Sequence, residues 1–277
     1  MYLFVILLAT LGACMNYTDY LGRNISLPLS AALYSPNPPR CLQKRLNATV
    51  MEGFLVHTEG GLASGLIATL DHNRTVALTF KVDVSDSYDF EDFDKLFVSL
   101  VKWRHEGKVS KFLARMFKNL WIERKMRKRF REVMKERSTH EVLITGHSLG
   151  GGVAALVAVD IVKKGLANKG QVTLITLGQT MVGDENFAKA YEKEVEYSYR
   201  VVRRGDFIPH YPGQHRGYEY NGKEVYYKRY DMRFNGSTGF EICERNNCSI
   251  KQVNPVKSIN NDVYFKKNIT EYGLRCK

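Results

Sequence analysis

The chain has 277 residues, 44% hydrophobic and 25% charged, with a formal net charge of +12. That is apolar material for one full core of α/β size, and neither a repeat nor a low-complexity linker interrupts it, which excludes a solenoid or a disordered chain. Residues 1–13, MYLFVILLATLGA, are too short an apolar run to span a bilayer, and they read as a secretory leader, with residues 1–14 removed and 15–277 forming one domain. An LGAC at Leu11 to Cys14 also permits a bacterial lipoprotein. Seven N-x-[ST] triplets, at Asn16, Asn24, Asn47, Asn73, Asn235, Asn247 and Asn268, favour a eukaryotic secretory route. A secreted chain of this charge meets anionic membranes, glycans or lipid before it meets nucleic acid, so no nucleic-acid partner is expected. Without Cys14, four cysteines remain, enough for two disulfides in an oxidising compartment, and four allow three pairings. No C-x-x-C or His-rich spacing is present, so neither a metal nor a cofactor is expected.

Residues 16–40 are polar and proline-punctuated and read as an extended lead-in over the surface. Residues 54–57 and 62–70 have strand character, Asp71 to Arg74 reads as a turn, and TVALTFKV at 75–82 reads as a central strand. From Asp83 to Asp94 come six carboxylates and no base, while Phe90, Phe93, Phe97, Leu100 and Val101 recur at helical spacing. This predicts an acidic amphipathic helix, either a lid or an element packing its phenylalanines into the core. Residues 108–137 predict a second amphipathic helix, with twelve Lys/Arg against three Glu. Its basic face either holds the protein on an anionic surface or is a solvated face partly neutralised by the acidic helix.

Glu141 to Val162 is the stretch with chemistry in it. Val142-Leu143-Ile144-Thr145 is apolar without alternation, as a strand covered on both faces should be. Gly146-His147-Ser148-Leu149-Gly150 has the G-x-S-x-G form of a nucleophile elbow and runs into an Ala/Val-rich helix. The glycines two residues either side let strand and helix close on a strained serine. Ser148 then stands exposed, with the Leu149 N–H and the helix N-terminus behind it to receive an oxyanion. Further on, 171–177 predicts a buried strand, 184–194 a helix begun by an acidic cap, and 197–202 another strand ending near Asp206. Residues 223–230 predict an antiparallel strand or ribbon, and the tail is polar and disulfide-tied. Strands alternating with helices make the fold class α/β.

Several stretches together resemble the class 3, fungal-type lipases: GHSLGG at Gly146, LITLGQTMVGDENFAKAY at Leu174, RVVRRGDFIPHYP at Arg200 and NGKEVYYK at Asn221. The resemblance covers roughly residues 53–265. It implies an α/β-hydrolase fold with a mostly parallel sheet and helices on both faces, a lipid or ester substrate, Ser148 as nucleophile and Asp206 as orienting acid. It also implies that Cys41 and Cys276 bridge the chain ends. Cys243 and Cys248 would then close a short local loop.

Two departures from the family pattern bear on activity. The family's histidine lies shortly before an aromatic pair, here Tyr264-Phe265, and the matching position is Asn261 or, with a one-residue gap, Asp262; no histidine occurs after His215. The oxyanion loop, Arg-Gly-Thr or Arg-Gly-Ser in the family, here reads Lys81-Val82-Asp83, so a carboxylate replaces a hydroxyl donor. His210 and His215 follow Asp206 and are the candidates for a substitute base. The sequence therefore leads to two expectations: a lipase-like enzyme impaired at both positions, or a pseudoenzyme that binds lipid, glycan or protein through the cleft or the basic helix.

Overall fold

The computed structural model describes residues 16–84, 90–233, 239–243, 248–250 and 261–276. The expected leader, the triplets at Asn235 and Asn247, and residues 85–89 of the acidic stretch lie outside them. The first ten strands in chain order are β1 (Thr49–Thr58), β2 (Gly61–Leu70), β3 (Thr75–Asp83), β4 (Leu100–Lys102), β5 (Lys108–Ser110), β6 (Glu141–His147), β7 (Val172–Leu177), β8 (Tyr197–Arg203), β9 (Lys223–Tyr227) and β10 (Glu241–Cys243). Eight of them form one sheet in the order β1-β2-β3-β6-β7-β8-β9-β10, while β4 and β5 make a separate hairpin. Pairing is antiparallel from β1 to β3, parallel from β3 through β9, and antiparallel again at β10. The expected antiparallel strand at 223–230 is β9, which pairs antiparallel with β10 on one side but parallel with β8 on the other, because the chain crosses back after β8 before entering it.

Alternate side chains of each central strand feed two layers. On one face Leu78, Ile144 and Leu174 pack under α4 (Lys111–Phe117), α5 (Met126–Glu136), α6 (Leu149–Lys163) and α7 (Glu185–Glu194). On the other, Ala77, Leu143 and Ile175 pack against α1 (Leu27–Ala32), α2 (Pro38–Leu46) and α8 (Ile269–Leu274). This is the α/β-hydrolase arrangement, with β6 and β7 buried almost throughout.

The second layer corrects the expected surface lead-in. A π-helical turn at Leu21–Ser26 runs into α1, and Leu27, Leu29, Ala31 and Ala32 are completely buried. The prolines misled because Pro38 and Pro39 open α2, where a missing N–H breaks no bond, and Pro28 sits where the π-helical turn passes into α1. Asn37 caps α2, its side chain accepting from Arg40 N at 3.1 Å. Cys41 in α2 is joined to Cys276 beyond α8, and Cys243 to Cys248, the two expected pairings.

The long basic helix is also corrected. It begins as β5 and α4, passes through a π-helical turn at Lys118–Glu123, and is broken at Lys125, whose φ of 64° is left-handed, before α5 starts. Phe112, Leu113, Met116, Phe117, Leu120, Trp121, Met126, Phe130, Val133 and Met134 are buried as the periodicity requires. The acidic helix is shorter than expected: α3 spans Phe90–Lys95, and Leu100 and Val101 belong to β4. Phe97 is buried in the core, whereas Phe93 is partly buried and lines a cavity at Ser148.

Candidate active site

Ser148 sits between β6 and α6 with φ 55° and ψ −125°, a conformation that costs a non-glycine residue free energy and persists only where surrounding structure imposes it. The imposition comes from both sides. Ser148 N donates to Leu177 O on β7 at 3.0 Å, and its own carbonyl accepts from Gly151 N at 3.0 Å. A Cβ on Gly146 would lie 2.5 Å from Gly150 O, and one on Gly150 would lie 2.3 Å from Phe80 O, so both glycines are needed for the approach.

Ser148 opens into a cavity of about 640 Å³ lined by Tyr34, Asp83, Phe93, His147, Leu149 and Asp262 among others. Leu149 is the first residue of α6 and is buried. Asp83, at the end of β3, pairs with Lys81 at 2.7 Å, and the same ammonium lies 4.2 Å from the Tyr34 ring centre. The Asp83 carboxylate therefore carries its own counter-ion.

Asp206 follows β8 and is completely buried. One oxygen accepts from the Tyr264 hydroxyl at 2.6 Å and the other from Ile208 N at 3.0 Å. Burial pushes this carboxyl up to about 6, against the opposing effect of those two hydrogen bonds. Asn261 is buried beside the same tyrosine: a Cβ on Gly178 would meet both the Asn261 Oδ1, at 2.0 Å, and the Tyr264 hydroxyl, at 2.8 Å. Oδ1 of Asn261 has no hydrogen-bond partner among the described residues, while its main-chain oxygen accepts from His147 Nε2 at 2.7 Å. Asp262, next along, is exposed at the cavity.

The structure does not bring His210 or His215 to Ser148. Both line a different recess of about 450 Å³, with Asp94, Tyr211 and Arg216. His210 is buried with both ring nitrogens engaged, one with the Tyr220 hydroxyl at 2.8 Å and the other with Ser249 Oγ at 3.0 Å. Burial, helped by Arg200, pushes its imidazole down to about 3. It is a neutral structural histidine with no free nitrogen for a serine proton.

Among the described residues the imidazole lining the Ser148 cavity is His147. Burial lowers its pKa, against the bond to the Asn261 carbonyl, and its Nδ1 lies 3.4 Å from the Tyr34 hydroxyl. Sequence reasoning missed His147, Tyr34 and Tyr264 as parts of the site. The last was legible as half of an aromatic pair; Tyr34 was not, because its segment read as surface. Chemically, the structure mounts Ser148 on an elbow and holds Asp206 buried against the Tyr264 hydroxyl, with the Asn261 amide beside that tyrosine.

A family profile, Lipase (class 3), matches residues 78–216. A lipase of Caenorhabditis elegans is 30% identical over 198 residues, which are 68% of this chain and 54% of that protein. A Rhizopus oryzae lipase is 30% identical over 143 residues, 50% of this chain and 35% of that one. The matched stretches thus span about half, or about a third, of those relatives. Among solved structures, a lipase from Rhizopus microsporus var. chinensis superposes with a TM-score of 0.74 at 21% identity, over 93% of this chain and 91% of that one. A triacylglycerol lipase described as having a serine protease triad at its catalytic centre superposes at 0.74 and 22% identity, over 91% and 94%. At such identity the structural likeness is one of fold. The profile match extends over half the sequence and contains both Ser148 and Asp206, and on that ground the chain belongs to the class 3 lipase family.

Proposed function

We propose that this chain is a secreted, N-glycosylated lipase-fold protein of lipid metabolism, whose Ser148 cavity takes an acyl ester or other lipid and turns it over slowly or not at all. Residues 1–14 would be the leader and the rest one hydrolase domain, with Ser148 as nucleophile, Asp206 as orienting acid, Leu149 N–H and the Asp83 position as the oxyanion site, and the basic helices as a contact with anionic surfaces. The observation that carries the reading is the environment of Asn261: it lies beside the Tyr264–Asp206 pair, where the resemblance calls for histidine, and holds an amide with an unpartnered oxygen. An amide exchanges no proton near neutral pH, so the serine hydroxyl lacks the general base that acyl transfer needs within about 3 Å. The intact elbow strain favours retained binding in the cleft over a decayed site, since a φ of 55° at a non-glycine residue costs about 1–3 kcal/mol to maintain.

The experiment is paired. Fluorophosphonate labelling and hydrolysis of a panel of p-nitrophenyl esters are measured on wild type, Ser148→Ala and His147→Ala, alongside binding of a fluorescent fatty acyl ester. Weak or absent turnover with Ser148-independent ester binding is expected. Robust turnover lost in Ser148→Ala would overturn the reading, and loss in His147→Ala as well would name the base.

A further inference from the structure

Five of the seven glycosylation triplets fall on described residues, and the structure gathers them on one side. Asn16, Asn24, Asn47 and Asn268 belong to the layer built by α1, α2 and α8. Asn24 and Asn47 line a single recess with His72 and Lys267, the neighbours of Asn73 and Asn268. No triplet occurs between Asn73 and Asn235, the stretch that builds the opposite layer.

That opposite layer carries the cations. Lys128, Arg131 and Lys135 stand exposed at i, i+3 and i+7 on α5, a stripe of about 10 Å at the α-helical rise. Arg131 and Lys135 line a concave groove of about 350 Å³ between the end of α5 and the end of α6, together with Ser138, Lys164, Asn168 and Gln171 among others. Among the described residues no carboxylate lines it. The two glutamates of α5 are engaged elsewhere, Glu132 with Arg129 and Glu136 with Arg137, and Arg131, Lys135 and Lys164 have no ion-pair partner among the described residues. Three cations without an ion-pair partner among the described residues, set around one concavity, raise the local anion concentration and release bound counter-ions to any polyanion that enters.

Two features decide what kind of polyanion fits. None of the large apolar side chains exposed among the described residues belongs to this groove, so it lacks the anchors by which a helix beds into a lipid interface. The groove also lies at the far end of α6 from Ser148, about 22 Å away for a 15-residue helix. A bilayer held there would leave the cleft facing away from its lipid. An extended chain lying in the groove has neither difficulty.

We propose that the α5–α6 groove is a docking site for a sulfated polysaccharide, which tethers the molecule by a face that carries none of the five described triplets and leaves the Ser148 cavity open to solution. The proposal rests on the secretory part of the functional reading and is independent of whether Ser148 hydrolyses anything.

The test uses the full secreted chain and a heparin oligosaccharide of defined length, with binding measured by titration across a salt series. Arg131→Ala/Lys135→Ala/Lys164→Ala is compared with Lys102→Ala/Lys108→Ala/Lys111→Ala, which removes equal charge from exposed positions outside the groove. The groove variant is expected to weaken binding at least tenfold and to flatten the salt dependence by about two to three charges, with the control within threefold. Desulfated oligosaccharide should bind far more weakly. Equal losses in both variants, equal binding of desulfated chain, or tighter binding to phosphatidylserine vesicles or duplex DNA than to the oligosaccharide would each overturn the proposal. Unchanged thermal midpoints show that the variants fold, and since ester turnover is not the readout, an inactive Ser148 leaves the result intact.

Discussion

Replacing Asn261 by histidine should restore little activity alone and much more when the oxyanion strand is repaired with it. Loss of the base in a serine triad costs about 10⁶ in kcat, about 8 kcal/mol of barrier. Asn261→His has in principle that much to recover. The geometry limits it. Asn261 Oδ1 already crowds Gly178, so the larger ring has to project away from that glycine, and both oxygens of Asp206 are engaged by Tyr264 and Ile208 N. A carboxylate oxygen accepts more than one bond, so an imidazole N–H can share it, provided Asp206 is ionised. With its carboxyl raised to about 6, an assay at pH 8 meets that condition. The second deficit that the resemblance implies is at Asp83, where a lost hydroxyl donor would be worth about 10² to 10³ and the carboxylate is only partly offset by Lys81. Hydrolysis of p-nitrophenyl butyrate at pH 8, with Ser148→Ala as background, should rise less than about tenfold for Asn261→His. It should rise at least about 10³-fold for Asn261→His/Val82→Gly/Asp83→Thr. If the single repair matches the triple, Asp83 is no obstacle and that part of the reasoning fails. If the wild type already turns over ester through Ser148 at a rate the repairs do not improve, the missing-base argument fails entirely.

Three stability predictions follow from the same geometry. Because burial raises Asp206, the native state binds more protons than the unfolded chain between about 4 and 6. Its contribution is therefore fully present below the unfolded pKa and lost as pH rises through about 6. Asp206→Asn, with the Tyr264 hydroxyl free to reverse its bond, should stabilise by about 1–3 kcal/mol at pH 7 and by nothing near pH 3.5; urea titrations that show destabilisation at pH 7, or no pH dependence, reject this. Separating Cys41 from Cys276, 235 residues apart, should cost about 4–5 kcal/mol against about 2 kcal/mol for the local Cys243–Cys248 loop. Chemical denaturation of the two double serine variants should therefore rank them, and the reverse order would mean that the terminal layer holds without its bridge. Asp160 is completely buried on α6, where it accepts from Trp121 Nε1 at 2.9 Å and faces Arg104, His105 and Arg127 within 3.5 Å. Asp160→Asn leaves the two guanidiniums, Arg104 and Arg127, without a counter-charge and should cost about 3 kcal/mol; a loss below about 0.5 kcal/mol would show that solvent already screens them.

Much of this architecture is written in short-range pattern. The β6–Ser148–α6 unit was legible because each piece is locally required: an unbroken apolar strand, glycines where backbone meets backbone, and a small-residue helix that packs close to β3. The same holds for the Asp184 cap of α7, whose side chain accepts from Phe187 N at 2.9 Å, and for the buried stripe from Phe112 to Met134. Asp206 was legible as a carboxylate at the end of a parallel strand, while Asn261, with Asp262 as the alternative, was picked out only through the resemblance to the family.

What escaped the sequence depends on which surfaces had to be covered. Residues 16–46 look like a polar lead-in until the second face of the sheet is seen to need a lid of Leu27, Leu29 and Ala31; burial then outweighs the discouragement of three prolines that happen to sit at helix starts. The break at Lys125 has the same origin, since α4 and α5 follow different directions over one sheet and only a left-handed residue turns the chain between them. The parallel setting of β9 is a matter of crossover, which no period-two pattern records. His147 and Asn261 are 114 residues apart and meet through one carbonyl, and Arg131 and Lys164 come to one groove from two helices. Local propensity states what each segment can be; the apolar area of the other face of the sheet, and the route the chain takes to cover it, state where those segments meet.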